Sequence, residues 1–256
     1  MESNGYLWAK KQEHIIEPLT LDTANIDNFR LATKDPNEIH NPEKNKNPVA
    51  LGFQLEALVS LYAKQQKPIN NHFHLEKIET KFRNFLCANH TFSLSLNYEN
   101  NNMEVNINDA YSTFATVKLH YSQSLPVQYS ESNQKPVKLT NKMVRQFYNG
   151  LNIQPKNKLP KFLIPSLSSY AISREIKKHI SPEKQPIYVK HTISFFSPIK
   201  KIKKNSKIYL NLDEYKSTKR MDVINVSGTD KKHNKVFGAE LLVSFIPQEK
   251  FYRLTR

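Results

Sequence analysis

Apolar residues between positions 51 and 62 fall on one stripe. Leu51, Leu55, Leu58 and Tyr62 recur at i, i+4, i+7 and i+11, with Ala57 and Leu61 filling the same face. That period predicts a buried helix over about Gly52–Gln65, stopped by Pro68. The pattern then changes to alternation. Phe73 and Leu75, followed by Ile78, Thr80 and Phe82, make two short registers. Phe92, Leu94 and Leu96 alternate, the Asn-rich tip Glu99–Asn102 reads as a hairpin turn, and Val105, Ile107, Ala115, Val117 and Leu119 complete the series. Period two interrupted by turn residues predicts an antiparallel meander. Ahead of the helix, residues 1–13 read as a short arm, Thr20–Arg30 carries turn signals, and Lys34–Pro48 is a polar loop without periodicity.

The same order recurs. LTNKMVRQF (139–147) resembles LDTANIDNF (21–29), and FLIPSLSSYAISREIKKHI (162–180) predicts a second apolar helix over about Ser166–Ile180. Strands are expected at Ile187–Phe196, Lys207–Leu212, Met221–Val226 and Ala239–Phe245. KFRNFL (81–86) and SFFSPI (194–199) hold equivalent places after the two helices. The reading is an α+β chain built from two copies of one helix-plus-meander unit, residues 1–124 and 137–256, joined by a linker at 125–136. Two unrelated α+β units of similar length are the alternative.

Composition narrows the function. Of 256 residues, 38% are hydrophobic and 11% aromatic, enough for a real core, which excludes wholesale disorder. Only five glycines are present, and neither GxGxxG nor GxxxxGK occurs, which argues against dinucleotide and P-loop sites. A single cysteine excludes a disulfide framework and a thiolate zinc site. No apolar run has membrane-spanning length and no apolar leader is seen, so a cytoplasmic protein without a membrane span is expected. The net charge of +15 is lopsided: residues 1–129 carry 12 basic against 14 acidic side chains, residues 130–256 carry 26 against 9. An anionic partner for the second half is one explanation, a Lys-, Asn- and Ile-rich composition the other.

The stretch ATKDPNEIHN (32–41) holds Asp35, Asn37 and His40 in a D-x-N-x-x-H spacing, a dozen residues before a buried helix that starts at a glycine. It resembles the hydratase motif Gly-Asp-x-Asn-Pro-x-His of the MaoC-like, (R)-specific enoyl-thioester hydratases and dehydratases. KFRNFL resembles the Lys/Arg-Phe-x-x-Pro segment that follows the helix there. The chain departs from the family at Lys34, Glu38 and Leu51, where glycine, proline and histidine are usual. The resemblance covers about residues 14–120 at the level of motifs and 137–247 at the level of fold. It implies a double hot-dog: two central helices, each wrapped by an antiparallel sheet and packed as a pseudo-dimer. The implied activity is reversible hydration of trans-2-enoyl thioesters to 3-hydroxyacyl thioesters, carried by coenzyme A or an acyl carrier protein, with no metal and no redox cofactor. A homodimer of such chains is left open.

The chemistry has its own logic. Hydration needs a base for water at the β-carbon, an acid for the α-carbon and a donor for the enolate oxygen. Asp35 and His40 lie close enough along one loop to aim at one water. The Gly52 amide, at a helix N-terminus, is the candidate oxyanion donor. Asn37 is a candidate for holding the loop and binding substrate. The equivalent loop of the second half, FYNGLNIQPKNKLPKF (147–162), has no carboxylate and no histidine. Basic turns at Lys200, Lys201, Lys203 and Lys204, and at Lys231, Lys232 and Lys235, are ordinary solvated turns or contacts for carrier phosphates. They match no nucleic-acid-binding motif, and nucleic acid is not an expected partner. His72 and His74 share a strand face but lack an evident third ligand. Ser166, Ser168 and Ser169 lack a GxSxG elbow. A non-catalytic binding protein and a thioesterase on the same fold are the competing readings.

Overall fold

A computed structural model describes residues 8–66, 73–132, 134, 136–176, 184–218 and 221–254. The chain runs β1 (Trp8–Thr20), α1 (Thr23–Thr33), α2 (Gly52–Gln66), β2 (His74–Phe82), β3 (Thr91–Asn100), β4 (Asn102–Asn108) and β5 (Thr113–Ser122). It continues with β6 (Val137–Lys138), α3 (Asn141–Gly150), α4 (Leu163–Ser166), α5 (Ser168–Ile176), β7 (Lys184–Phe195), β8 (Lys207–Ser217), β9 (Asp222–Thr229), β10 (Lys235–Pro247) and α6 (Gln248–Leu254). All ten strands join one antiparallel sheet in the order β1-β3-β4-β5-β2-β7-β10-β9-β8-β6. The strands of the two halves therefore fuse into one sheet at a β2–β7 seam.

The helical period of the first half holds closely: α2 spans Gly52–Gln66, and residues 51–59 are all buried. The meander follows the alternation, with Phe92, Leu94, Leu96, Val105, Ile107, Val117 and Leu119 buried toward the helix. Three expectations are corrected. From Trp8 onward the supposed arm is a 13-residue edge strand paired with β3, its register twice interrupted. Thr23–Thr33 is a helix because Asp22 and Asn25 form a capping box, each side chain accepting the other's backbone N–H. The second long helix is broken at Leu167. Pro165 has no N–H to donate, and at the break tighter i→i−3 bonds, Leu167 to Ile164 and Tyr170 to Leu167, mix with ordinary i→i−4 ones. Beyond Ile176 that helix, like His72, lies outside the described residues.

Duplication is visible in matched details. Asp22 caps α1 and Thr140 caps α3; seven residues on from each, Phe29 and Phe147 meet with ring centroids 5.0 Å apart. Lys34 and Asn152 then occupy the same left-handed conformation, at φ 55 and 54. The next residues, Asp35 and Ile153, donate to equivalent carbonyls, Arg30 and Tyr148, at 3.0 and 3.1 Å. The β2–β7 seam is symmetric too. Around the central pair Glu79–Thr192 stand Ile78–Ile193 on one side and Thr80–His191 on the other.

Candidate active site

Left-handed Lys34 ends α1 and turns the chain into the Asp35–His40 loop. A helix end of this kind favours glycine, because a Cβ in the left-handed region is crowded by the backbone. This explains the glycine usual at the position, and predicts that Lys34→Gly stabilises the fold. The left-handed conformation costs about 1–2 kcal/mol, whereas the exposed Lys34 ammonium over Tyr170, 5.3 Å from the ring centroid, returns only about 0.5 kcal/mol. The net gain expected is about 1 kcal/mol, read as a higher urea midpoint.

Asp35 and His40 are both buried, at 5% and 3% exposure. The Asp35 carboxylate accepts the Asn37 N–H at 2.8 Å. Asn37 in turn caps a short 3₁₀ turn, Glu38–His40, accepting from the Ile39 N–H at 3.3 Å. Glu38 stands at the first position of that turn, where proline would also fit. The same Asn37 oxygen accepts from the Gln185 side chain at 2.7 Å, which ties the loop to β7. Thus Asn37 spends its carbonyl on the protein itself. The His40 ring donates from Nδ1 to the Val49 carbonyl at 2.6 Å, because a carbonyl can only accept. Its lone pair is therefore on Nε2. Burial pushes His40 below its ordinary 6.5, while the nearby Asp35 carboxylate and the Val49 bond pull the other way and Arg30 adds to the fall.

The run into α2 is pinned by the segment after β2, with Ala50 N–H to Leu86 O and Ala88 N–H to Pro48 O, both 2.8 Å. Leu51 is buried and donates its N–H to the Gln54 side chain. Gln54 also donates to the Gly150 carbonyl at 2.6 Å, linking α2 to α3. The amides of Gly52 and Phe53 emerge from the helix end without an intrahelical acceptor, as in any α-helix. A Cβ on Gly52 would lie 2.7 Å from Phe82 and 3.0 Å from His191, so glycine is what permits this close approach. Phe82 belongs to the KFRNFL segment.

Three further residues gather here without a motif to announce them. Tyr188 and His191 on β7 stack edge to face at 4.5 Å, and Phe53 and Phe82 flank His191 at 4.7 and 4.8 Å. Three positions apart, two strand residues normally face opposite ways. Here β10 pairs Leu242 with Lys190 and Val243 with Tyr188, leaving Val189 as a bulge that returns Tyr188 to the face of His191. Glu56, one turn into α2, bonds His191 at 3.1 Å. Burial, then the Asp35 and Glu56 carboxylates, push the Tyr188 phenol upward, so it stays protonated and able to donate. The one sequence signal available was Glu56, the only carboxylate in the largely apolar run Val49–Ala63.

Lys200 and Lys201 lie exposed on a 3₁₀ turn after β7, and Lys231 and Lys232 on the β9–β10 turn. Both turns stand at the end of β7 and β10 opposite to Gln185 and the Asp35–His40 loop. His74 is half-buried on β2. Among the described residues, no three His, Cys, Asp or Glu side chains gather as a metal site, and no helix is long and apolar enough to cross a membrane.

No protein-family model matches the sequence, and no curated protein matches it. Solved structures do match in fold. HtdX of Mycobacterium tuberculosis is 8% identical with a TM-score of 0.58, over 90% of this chain and 99% of that one. A MaoC-like dehydratase from Phytophthora capsici is 9% identical with a TM-score of 0.57, over 97% and 99%. The dehydratase domain of PpsC from Mycobacterium tuberculosis, solved in complex with C12:1-CoA, is 10% identical with a TM-score of 0.54, over 95% and 100%. Fused sheet, paired central helices and these likenesses agree: the chain has the double hot-dog fold of the MaoC-like dehydratases.

Proposed function

We propose that the chain reversibly hydrates trans-2-enoyl thioesters to 3-hydroxyacyl thioesters. The observation that carries this reading is the burial of Asp35 and His40 together on one braced loop leading to the helix end at Gly52. A neutral His40 with its lone pair on Nε2 takes a proton from water as the oxygen bonds the β-carbon. Asp35 stabilises the charge that His40 then carries. The electrons of the double bond move toward the thioester oxygen, where the helix-end amide of Gly52 offsets the developing charge. The α-carbon then takes a proton and the carbonyl re-forms.

Lys200, Lys201, Lys231 and Lys232 are the surface we assign to the carrier's phosphates. From His191 to the turn at Ser197–Lys201 is six residues, roughly 20 Å of strand, which an extended carrier arm would have to span.

Loss of enoyl absorbance from crotonyl-CoA tests the reaction. Because His40 must be neutral and is pushed down, the acid limb of kcat/KM should lie below pH 6.5, with activity kept as pH rises through 6.5. KM should rise with salt if the basic turns hold phosphates, since screening acts over roughly 8 Å at physiological ionic strength. Absence of hydration, or an acid limb above pH 7, would count against this assignment.

A further inference from the structure

The buried Glu56–His191 pair has no part in the dyad just described, yet its His191 ring packs against the Gly52 helix end. Both side chains are fully buried and joined at 3.1 Å, one from α2 in the first half and one from β7 in the second. The bond engages His191 through Nδ1. Its other nitrogen, Nε2, finds no hydrogen-bond partner among the described residues, nor do Glu56 Oε2 and Thr80 Oγ1. Three such atoms in one place are unusual, because buried polar groups are almost always paired. The seam supplies an internal comparison. The pair on the far side of its centre is Ile78–Ile193, purely apolar; the pair on this side is Thr80–His191. Polarity has been placed on the side of α2 that carries Gly52 and Glu56. The working edge of the ring is also defined. The carbon between its two nitrogens lies 3.0 Å from where a Gly52 Cβ would be, so Nε2 is one bond from that contact.

We propose that Glu56 and His191 are a second proton-transfer pair of the same site, with His191 Nε2 serving the α-carbon. The inference rests on the hydratase reading above. A thioester oxygen bound at the Gly52 amide places its α-carbon two bonds away, beside the His191 ring. His40 takes a proton from water as the C–O bond forms at the β-carbon. The double-bond pair becomes the enolate, and protonated His191 gives its Nε2 proton to the α-carbon as the enolate pair closes the C–H bond. His191 is left neutral and His40 protonated. Exchange with solvent restores both, so the net change is addition of one water. Glu56 fixes the ring and offsets its charge while protonated, the role a carboxylate plays behind a catalytic imidazole. Tyr188 stacks against the His191 ring and feels the charges of both Asp35 and Glu56.

The experiment compares wild type, His40→Ala, His191→Gln and Glu56→Gln on crotonyl-CoA across pH, with folding followed by circular dichroism. Glu56→Gln keeps the side chain's shape if His191→Gln does not fold. His191→Gln should lower kcat about 100-fold or more and abolish the basic limb of the kcat profile, which reports the proton on His191. Glu56→Gln should lower kcat about 10-fold with the basic limb displaced. Either folded variant working within threefold of wild type, or losing activity with its pH profile unmoved, overturns the proposal while the hydratase reading stands. A wild-type chain without hydratase activity overturns that reading, and this pair falls with it.

Discussion

Hydration of crotonyl-CoA by His40→Ala should fall about 10²–10⁴-fold, the usual worth of a positioned proton-transfer group. The fold should survive, because the ring makes one hydrogen bond, to the Val49 carbonyl, and that neighbourhood is held independently by the Ala50–Leu86 and Ala88–Pro48 backbone bonds. Asp35→Asn should cost nearly as much kcat, and the two losses should be far from additive, since the residues act as a unit. The carboxamide oxygen of the new asparagine can still accept the Asn37 N–H, so the loop should keep its shape while losing its charge. Steady-state kinetics of both single variants and the double variant reads this. A double variant whose defect is the product of the single ones would separate the two residues functionally.

Gly150→Val should be strongly destabilising, although Gly150 itself has no part in the proposed chemistry. A Cβ there would lie 2.7 Å from the Phe29 Cβ and 2.7 Å from its backbone nitrogen. Backbone cannot rotate aside, so α1 and α3 would have to move apart. Moving them would disturb the Phe29–Phe147 contact, the Asn25 bond to Asn149 O at 2.7 Å and the Gln54 bond to Gly150 O at 2.6 Å. Overpacking alone costs about 1–3 kcal/mol, and loss of buried hydrogen bonds adds about 1 kcal/mol or more each. About 4 kcal/mol is expected, seen as a large fall in the urea midpoint. Gly238→Ala is the control: its Cβ would meet Lys235 at 3.5 Å, an ordinary contact, and should change stability by less than about 0.5 kcal/mol.

The repeat was legible because each half carries the same punctuation. Leu21 and Leu139, the caps Asp22 and Thr140, and Phe29 and Phe147 keep one spacing, and the buried residues of β3 and β4 alternate cleanly. α1 itself was hidden behind its cap: Asp22 and Asn25 look like turn residues until their side chains are seen closing on each other's backbone. β1 escaped because its register against β3 is interrupted twice, so no single alternation runs along it. Asp35, Asn37, His40 and Gly52 stood out through the resemblance of their spacing to a motif. Tyr188 and His191 could not, since a one-residue bulge at Val189 decides that they share a face, and no residue type announces such a bulge. Glu56 is a carboxylate in an apolar helix, but nothing in the sequence pairs it with a histidine 135 residues away.

The seam between β2 and β7 also sets an order of events in folding. Its pairs, from Lys77–Ser194 to Lys81–Lys190, join residues more than a hundred positions apart, whereas β3–β4 and β9–β10 close through short turns. Local hairpins therefore recover their closure entropy early, and the seam must wait for both. Until it forms, β2 and β7 are open strand edges able to pair with another chain, which makes a dilute refolding mixture preferable to a concentrated one. Gly52 and His191 come from opposite sides of that seam, so their contact arises only in its closing step. Recovery of any activity that needs both should lag behind recovery of secondary structure, and the lag would time the union of the two halves.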